Sequence, residues 1–272
     1  MSQPVFFDTH AHLDYPEFQA DFADVLERAQ AAGIAKIISI GTDLESSRRA
    51  VALAEKHAMI YAAVGWHPAN AHEAPADIRA ELRELAGHPK TVAIGETGLD
   101  YYRLPSSQGG GASADNQYKL KQAEIFRQQL EVAAGAGLNC VIHQRGDCFA
   151  ETVALLKPMA DKVRGVFHCF AGAAGAVREV LAMNSLVSFT GIVTFKNGQN
   201  VRDALAATPP GKFMLETDCP YLAPVPYRGK RCEPAYVKEI SEVAARVKDC
   251  SLEELSAATC RTAREFFPKL GA

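Results

Sequence analysis

No apolar stretch in the chain approaches the roughly 18 residues of a membrane-spanning helix, so no transmembrane segment is expected. Positive charge is not in excess either: 29 Lys and Arg stand against 32 Asp and Glu, a net charge of −3. The isoelectric point is near 6.3. No global basic field draws in nucleic acid, so a polyanion has to be held locally, by metal ions and a few Arg or Lys. The cysteines, at 140, 148, 169, 219, 232, 250 and 260, include no Cys-x-x-Cys pair. An odd, scattered set predicts reduced thiols and a cytoplasmic protein rather than a disulfide frame or a zinc knuckle. The first residues carry no basic segment followed by an apolar one, so no secretory leader is expected. Also missing is a Gly-rich turn after the first apolar run, which an open nucleotide-binding sheet needs. That turn reads His10-Ala11-His12-Leu13-Asp14.

What is present is enough to bury a large core: 272 residues, 48% of them hydrophobic. Short β-branched runs alternate with longer amphipathic stretches. Strands are predicted at Val5–Asp8, Lys36–Ile40, Ile60–Val64, Val92–Gly95, Asn139–His143, Gly165–His168, Leu186–Phe189 and Phe213–Leu215. Helices are predicted at Ala20–Ala32, Leu44–Lys56, Ala76–Gly87, Asp115–Gly137, Phe149–Met159, Ala173–Met183, Val201–Thr208 and Pro234–Lys248. Gly33, Gly87 and Gly137 sit where helix C-caps belong. A last helix, Ser251–Phe267, opens with the capping-box pattern Ser251-Leu252-Glu253-Glu254. This alternation predicts a single α/β domain over residues 1–272, a TIM (β/α)8 barrel with an extra C-terminal helix. One segment breaks the rhythm: Leu104–Asn116, polar and Gly-rich, reads as a mobile loop near the barrel mouth.

His10 and His12 leave the first strand on the same face, because side chains alternate along an extended strand. Alone, such a pair is as compatible with two polar residues as with half a metal site. Glu96, His143, His168 and Asp218, however, also stand just after apolar runs. In a barrel these strand ends converge on one face. Buried His, Glu and Asp are costly unless paired or metal-bound. The set suits two divalent ions: His10, His12 and Asp218 for one, His143 and His168 for the other, with Glu96 bridging. A pair of ions can clamp the attacking and leaving oxygens of a phosphodiester. Asp218, beside the attacking water, is the expected proton acceptor, and Glu96 the other catalytic carboxylate. His57, His72 and His88 lie in helical or loop stretches and are read as solvated or structural.

These residues carry a family resemblance. The chain resembles the TatD-related deoxyribonucleases, metal-dependent hydrolases of the amidohydrolase-type TIM-barrel class, over nearly its whole length. The matching motifs include Phe6-Phe7-Asp8-Thr9-His10-Ala11-His12-Leu13-Asp14, Gly65-Trp66-His67-Pro68 and Gly95-Glu96-Thr97-Gly98-Leu99-Asp100-Tyr101-Tyr102. They continue with His168-Cys169-Phe170, Thr194-Phe195-Lys196-Asn197, Glu216-Thr217-Asp218-Cys219-Pro220-Tyr221-Leu222 and Tyr227-Arg228-Gly229-Lys230-Arg231. The resemblance implies metal ligands at His10, His12, Glu96, His143, His168 and Asp218. It also implies phosphodiester hydrolysis dependent on magnesium or manganese, often 3′-to-5′ removal of nucleotides from single-stranded DNA. Imidazole-rich sites bind zinc tightly, so isolated protein could hold zinc. The chain departs from the family pattern at Cys232, where Asn is usual, and at Gln144-Arg145-Gly146-Asp147 after His143. Neither departure removes a ligand.

Around the centre, His67, Arg145 and Arg228 are candidate contacts to substrate phosphate. Lys230 and Arg231 would add to a basic rim, and Trp66, Tyr101 and Tyr102 are candidates for stacking on bases. Asp100 and Glu216 are expected to orient ligands rather than bind metal. The expected partner is nucleic acid, most of all single-stranded DNA, with no membrane and no obligate protein partner. One alternative is a hydrolase of the same barrel class acting on a small ester, amide or phosphodiester. Those enzymes often bridge their metals with a modified Lys from the fourth strand, and no Lys adjoins Glu96. The other alternative is a non-enzymatic metal-binding scaffold.

Overall fold

The computed structural model describes residues 4–271. Eight parallel strands follow one another around a single sheet in chain order. They are β1 (Phe6–Ala11), β2 (Ile34–Ile40), β3 (Ile60–Val64), β4 (Thr91–Asp100), β5 (Asn139–Arg145), β6 (Gly165–Phe167), β7 (Leu186–Phe189) and β8 (Phe213–Leu215). The sheet closes where the chain beyond β8 meets β1: Asp218 N donates to His10 O at 2.9 Å and His12 N to Cys219 O at 2.8 Å. The helices α1 (Phe22–Ala31), α2 (Leu44–Lys56), α3 (Arg79–Ala86), α4 (Ala112–Ala136), α5 (Phe149–Leu156), α6 (Ala174–Ala182), α7 (Gln199–Ala207) and α8 (Val237–Lys248) alternate with the strands. After α8 comes the extra helix α9 (Leu252–Phe266). This is the TIM barrel the alternation predicts. Among the described residues no helix is long and apolar enough to cross a membrane.

Strand alternation divides the apolar residues into two cores. Phe6, Ile37, Cys140, Ile142 and Phe167 face outward into the layer between barrel and helices. Phe7, Ile38, Ile40, Val141, Val166 and Met214 fill the interior. The amino-terminal end of that interior is stoppered by Phe266, Phe267 and Leu270, from the end of α9 and just beyond, all fully buried. Each of these side chains contributes about 1.5–3 kcal/mol by burial. The helix starts as its sequence requires: Ser251 Oγ accepts from Glu254 N, and the Glu254 carboxylate accepts from Ser251 N at 2.9 Å. Asp43 and Ser46 form the same reciprocal cap on α2.

Two departures from the predicted elements matter for the site. β4 continues five residues beyond Gly95, through Asp100. The Gly-rich segment is not a loop throughout: Pro105–Gln108 is a 3-10 turn, and α4 begins at Ala112. Asp115 in the first turn of α4 accepts from Ser106 N at 2.8 Å, folding the segment back on itself.

Candidate metal centre

Plain alternation points His143 inward beyond Val141 on β5, and His168 inward beyond Val166 on β6. Alternation alone fails on β1 and β4. Phe7 lies in the inner core but Ala11, of the same parity, lies in the outer one. A register shift between Asp8 and Ala11 turns the strand, and His10 and His12 with it. On β4, Ile94 packs outward, and a shift between Ile94 and Thr97 rolls Glu96 into the barrel. The flanking glycines permit this. Gly95 has φ +150 and Gly98 φ +137, and a Cβ on Gly98 would stand 2.1 Å from His143 O. Asp218 is left-handed, φ 60, a conformation Asp tolerates better than most residues.

The result is one compact cluster. Glu96 is its hub, and its two oxygens face different groups. Oε1 lies 2.6 Å from His143 Nδ1 and 2.6 Å from His168 Nε2. Oε2 lies 3.4 Å from His10 Nε2 and 3.8 Å from His12 Nε2. Asp218 Oδ1 is 3.3 Å from His12 Nε2 and 3.6 Å from His10 Nε2. Three groups each bring their donor atoms within 4.8 Å of one another: His10 with His12 and Asp218, His10 with Glu96 and His168, and His67 with Glu96 and His143. All six candidate ligands are thus brought together, and His67 joins them. Its Nε2 is 3.2 Å from His143 Nδ1 and 3.6 Å from Glu96 Oε1.

Titration follows from this packing. Burial would raise Glu96, but the imidazoles of His168, His67 and His10 hold it well below the ordinary carboxylate range. Burial would lower His168, but Glu96 and Glu216 raise it well above an ordinary histidine. Burial pushes His67 down to about 3, and it lowers His10. His10 is fully buried, and neither of its ring nitrogens has a hydrogen-bond partner. A buried imidazole nitrogen standing 3.4 Å from one carboxylate and 3.6 Å from another fits a cation between them.

Supporting residues hold the cluster from behind. Asp100 Oδ2 lies 3.0 Å from His143 Nε2, which leaves Nδ1 to face Glu96. Glu216 Oε1 accepts from Cys169 N at 2.7 Å and lies 3.7 Å from His168 Nδ1. Neither is in the three candidate metal-holding groups. Asp8, fully buried, accepts from Thr217 N at 2.9 Å and Thr217 Oγ1 at 2.6 Å, tying β1 to the segment after β8. Gln129 of α4 grips the peptide groups of Trp66, accepting from its N at 2.7 Å and donating to its O at 2.9 Å. This fixes the turn that presents His67.

The cluster floors a cavity of about 730 Å³ at the carboxyl end of the barrel. Arg145 lines it, whereas Arg228 does not; its guanidinium lies 3.7 Å from the Phe195 ring centre. Several rim expectations are corrected. Arg231 is engaged with Asp21 at 2.7 Å and with Glu233, so it is a clamp between α1 and the segment after β8. Trp66 is buried, its Nε1 donating to Asn70 O. Tyr101 is buried too, its hydroxyl bonded to Glu151. Neither ring can receive a base. Tyr102 is exposed at the mouth, and so is Tyr221, which the sequence reading did not single out. His57, His72 and His88 lie outside the cluster.

Histidine and carboxylate side chains meeting at the carboxyl end of a parallel barrel make this an enzyme of the metal-dependent hydrolase class. More narrowly, the chain belongs to the TatD family: the sequence model described as "TatD related DNase" matches residues 7–268. The chain is 40% identical over 262 residues to the uncharacterized metal-dependent hydrolase YabD of Bacillus subtilis, covering 96% of this chain and 98% of that one. It is 35% identical over 269 residues to the 3′-5′ ssDNA/RNA exonuclease TatD of Cronobacter turicensis, covering 97% and 98%. The crystal structure of YjjV, a TatD homolog from Escherichia coli, superposes with a TM-score of 0.86 at 27% identity, covering 97% and 98%.

Proposed function

We propose that this protein hydrolyses phosphodiester bonds of single-stranded DNA from the 3′ end, using two divalent ions. The observation that carries this reading is the division of Glu96. One oxygen faces the His10 and His12 side, the other the His143 and His168 side. His10, His12 and Asp218, whose donor atoms converge, would hold one ion; His143 and His168, each 2.6 Å from Glu96 Oε1, would hold the other, with Glu96 shared between them. Ions bound there supply Lewis acidity toward a phosphate oxygen and make bound water acidic at neutral pH. Magnesium or manganese would support turnover, and zinc would compete for the imidazoles.

The side chains divide the remaining work. Asp218 is 15% exposed at its side chain, whereas Glu96 is 3% and His10 0%. Asp218 is therefore the more open of the two candidate catalytic carboxylates lining the cavity, and would take the proton of an attacking water. His67 and Arg145 line the same cavity and would bind the phosphate. Arg228 would act only on substrate extending past the mouth. The name of the Cronobacter relative supports a nucleic acid substrate and 3′-to-5′ direction. The seven free thiols suit a reducing compartment such as the cytoplasm.

The test is hydrolysis of an end-labelled single-stranded DNA oligomer by metal-loaded protein, with Asp218→Asn in parallel. The expected result is a ladder shrinking from the 3′ end, at least about 100-fold slower in the variant. No cleavage of DNA by protein shown to hold both ions would overturn the proposal.

A further inference from the structure

We propose that Tyr102, braced by Arg145, and Tyr221 are two base-stacking platforms on opposite rims of the mouth, flanking the phosphate to be cut. The inference rests on the reading of a nucleic acid substrate above, and it names how the strand would be held.

The placement follows from the topology. In an eight-stranded barrel in chain order, β4 lies across from β8 and β5 across from β1. Tyr102 stands two residues beyond β4, and Arg145 ends β5. Tyr221 follows β8 and lies against residues that follow β1, with its ring centre 6.3 Å from those of His12 and Tyr15. Both tyrosines line the same cavity as Glu96 and Asp218. The two rings therefore stand on either side of the metal centre.

Their exposure is unusual for aromatic residues here. Tyr102 is 57% exposed and Tyr221 51%, while Trp66 and Tyr101 are each 8%. The Arg145 guanidinium lies 4.0 Å from the Tyr102 ring centre. A cation over an aromatic face holds the ring in place and brings positive charge to the position a phosphate would pass. The Tyr102 backbone is also fixed, since its N donates to Asp100 Oδ1 at 2.9 Å, while Oδ2 of that carboxylate holds His143. One platform is thus wired through a single carboxylate to a candidate ligand. Tyr221 N donates to the backbone carbonyl of Asp218 at 3.0 Å, so the second platform is joined to the opposite side of the centre through the main chain. Exposed rings with a cationic brace suit sequence-tolerant single-stranded binding, because every base offers a flat face. Within a duplex the bases stay paired and stacked on one another and offer neither ring a face.

The test compares binding of two fluorescein-labelled oligomers of equal length and charge, one base-bearing and one abasic. Both carry phosphorothioate linkages, and the metal-loaded full chain is titrated at 4 °C. The expected result is at least about 30-fold tighter binding of the base-bearing oligomer, the scale of two base–aromatic stacks. Tyr102→Ala and Tyr221→Ala should each shrink that preference, and together abolish it. Tyr102→Phe and Tyr221→Phe should retain it, which separates stacking from hydroxyl chemistry and from damage to the fold. Equal affinity of the wild type for both oligomers overturns the inference, as does a full preference in the double alanine variant. Hydrolysis of unmodified DNA by the same preparation reports separately on the nuclease reading. A base preference without any hydrolysis would sustain the platforms and remove the reaction.

Discussion

Replacing Gln129 with leucine removes the one side chain that satisfies both peptide groups of Trp66. Gln129 is fully buried, and so are the groups it grips. Each orphaned backbone group costs about 1–3 kcal/mol, and the added leucine carbons recover part of the sum, so a net loss of about 3 kcal/mol is expected. At about 2.1 cal/mol/K per residue, unfolding this chain gains about 0.57 kcal/mol/K, so Tm should fall by about 5 °C. Scanning calorimetry of metal-free wild type and variant at one pH measures it. The substitution should also loosen His67, whose turn begins at the released peptide, and weaken substrate binding more than turnover. Gln129→Glu sharpens the argument. Its carboxylate can accept from Trp66 N but cannot donate to Trp66 O. The protonated acid can do both, so this variant should regain stability as pH falls through its carboxyl pKa. A Gln129→Leu protein melting within 1 °C of wild type would refute the premise that these bonds hold the turn.

Glu96→Ala should reduce metal occupancy on both sides of the cluster, read by elemental analysis after dialysis; two retained ions at full affinity would refute the shared carboxylate. Gly98→Ala places a methyl group against His143 O and strains a backbone at φ +137. It should cost about 2–4 kcal/mol in urea unfolding, combining strain and overpacking, and shift both Glu96 and His143. Metal loading should release protons, because burial lowers His168 but Glu96 and Glu216 raise it well above an ordinary histidine, and a protonated imidazole cannot ligate. Affinity should therefore rise with pH above 6.5, the ordinary histidine value from which His168 is raised. Calorimetry in buffers of different ionisation enthalpy counts the protons, and a pH-independent affinity would contradict this.

Much of this architecture can be read from the chain because apolar runs are short and well punctuated. β3, β7, β8 and α2 begin and end where their β-branched runs or amphipathic period do. β4 escapes such reading because Gly95, Thr97 and Gly98 break the run, yet those residues carry the bulge that turns Glu96 inward. α4 starts earlier than composition suggests, since Asp115 reaches back to Ser106 and organises a Gly-rich stretch. The six candidate ligands are legible because strand ends must converge. His67 has no evident place in a two-ion tally of the sequence, and only the fold sets it against His143 and Glu96. Arg231 reads as a rim charge because its partner Asp21 lies 210 residues away. Trp66 and Tyr101 read as mouth aromatics by position in the chain, but side-chain direction buries them, while the turn after Asp218 brings Tyr221 out.

The side chains that fill the barrel, closed off beneath by Phe266, Phe267 and Leu270, leave the mouth a blind cavity. Nothing can thread through it, so whatever enters over the cluster leaves by the same opening. A long polymer can present such a vessel with an end or a bent-in segment, but it cannot be run through from one side to the other. On the proposed reading, a cut product would have to back out by that opening before the next stretch settles, so departure from the mouth becomes a step the shape can govern.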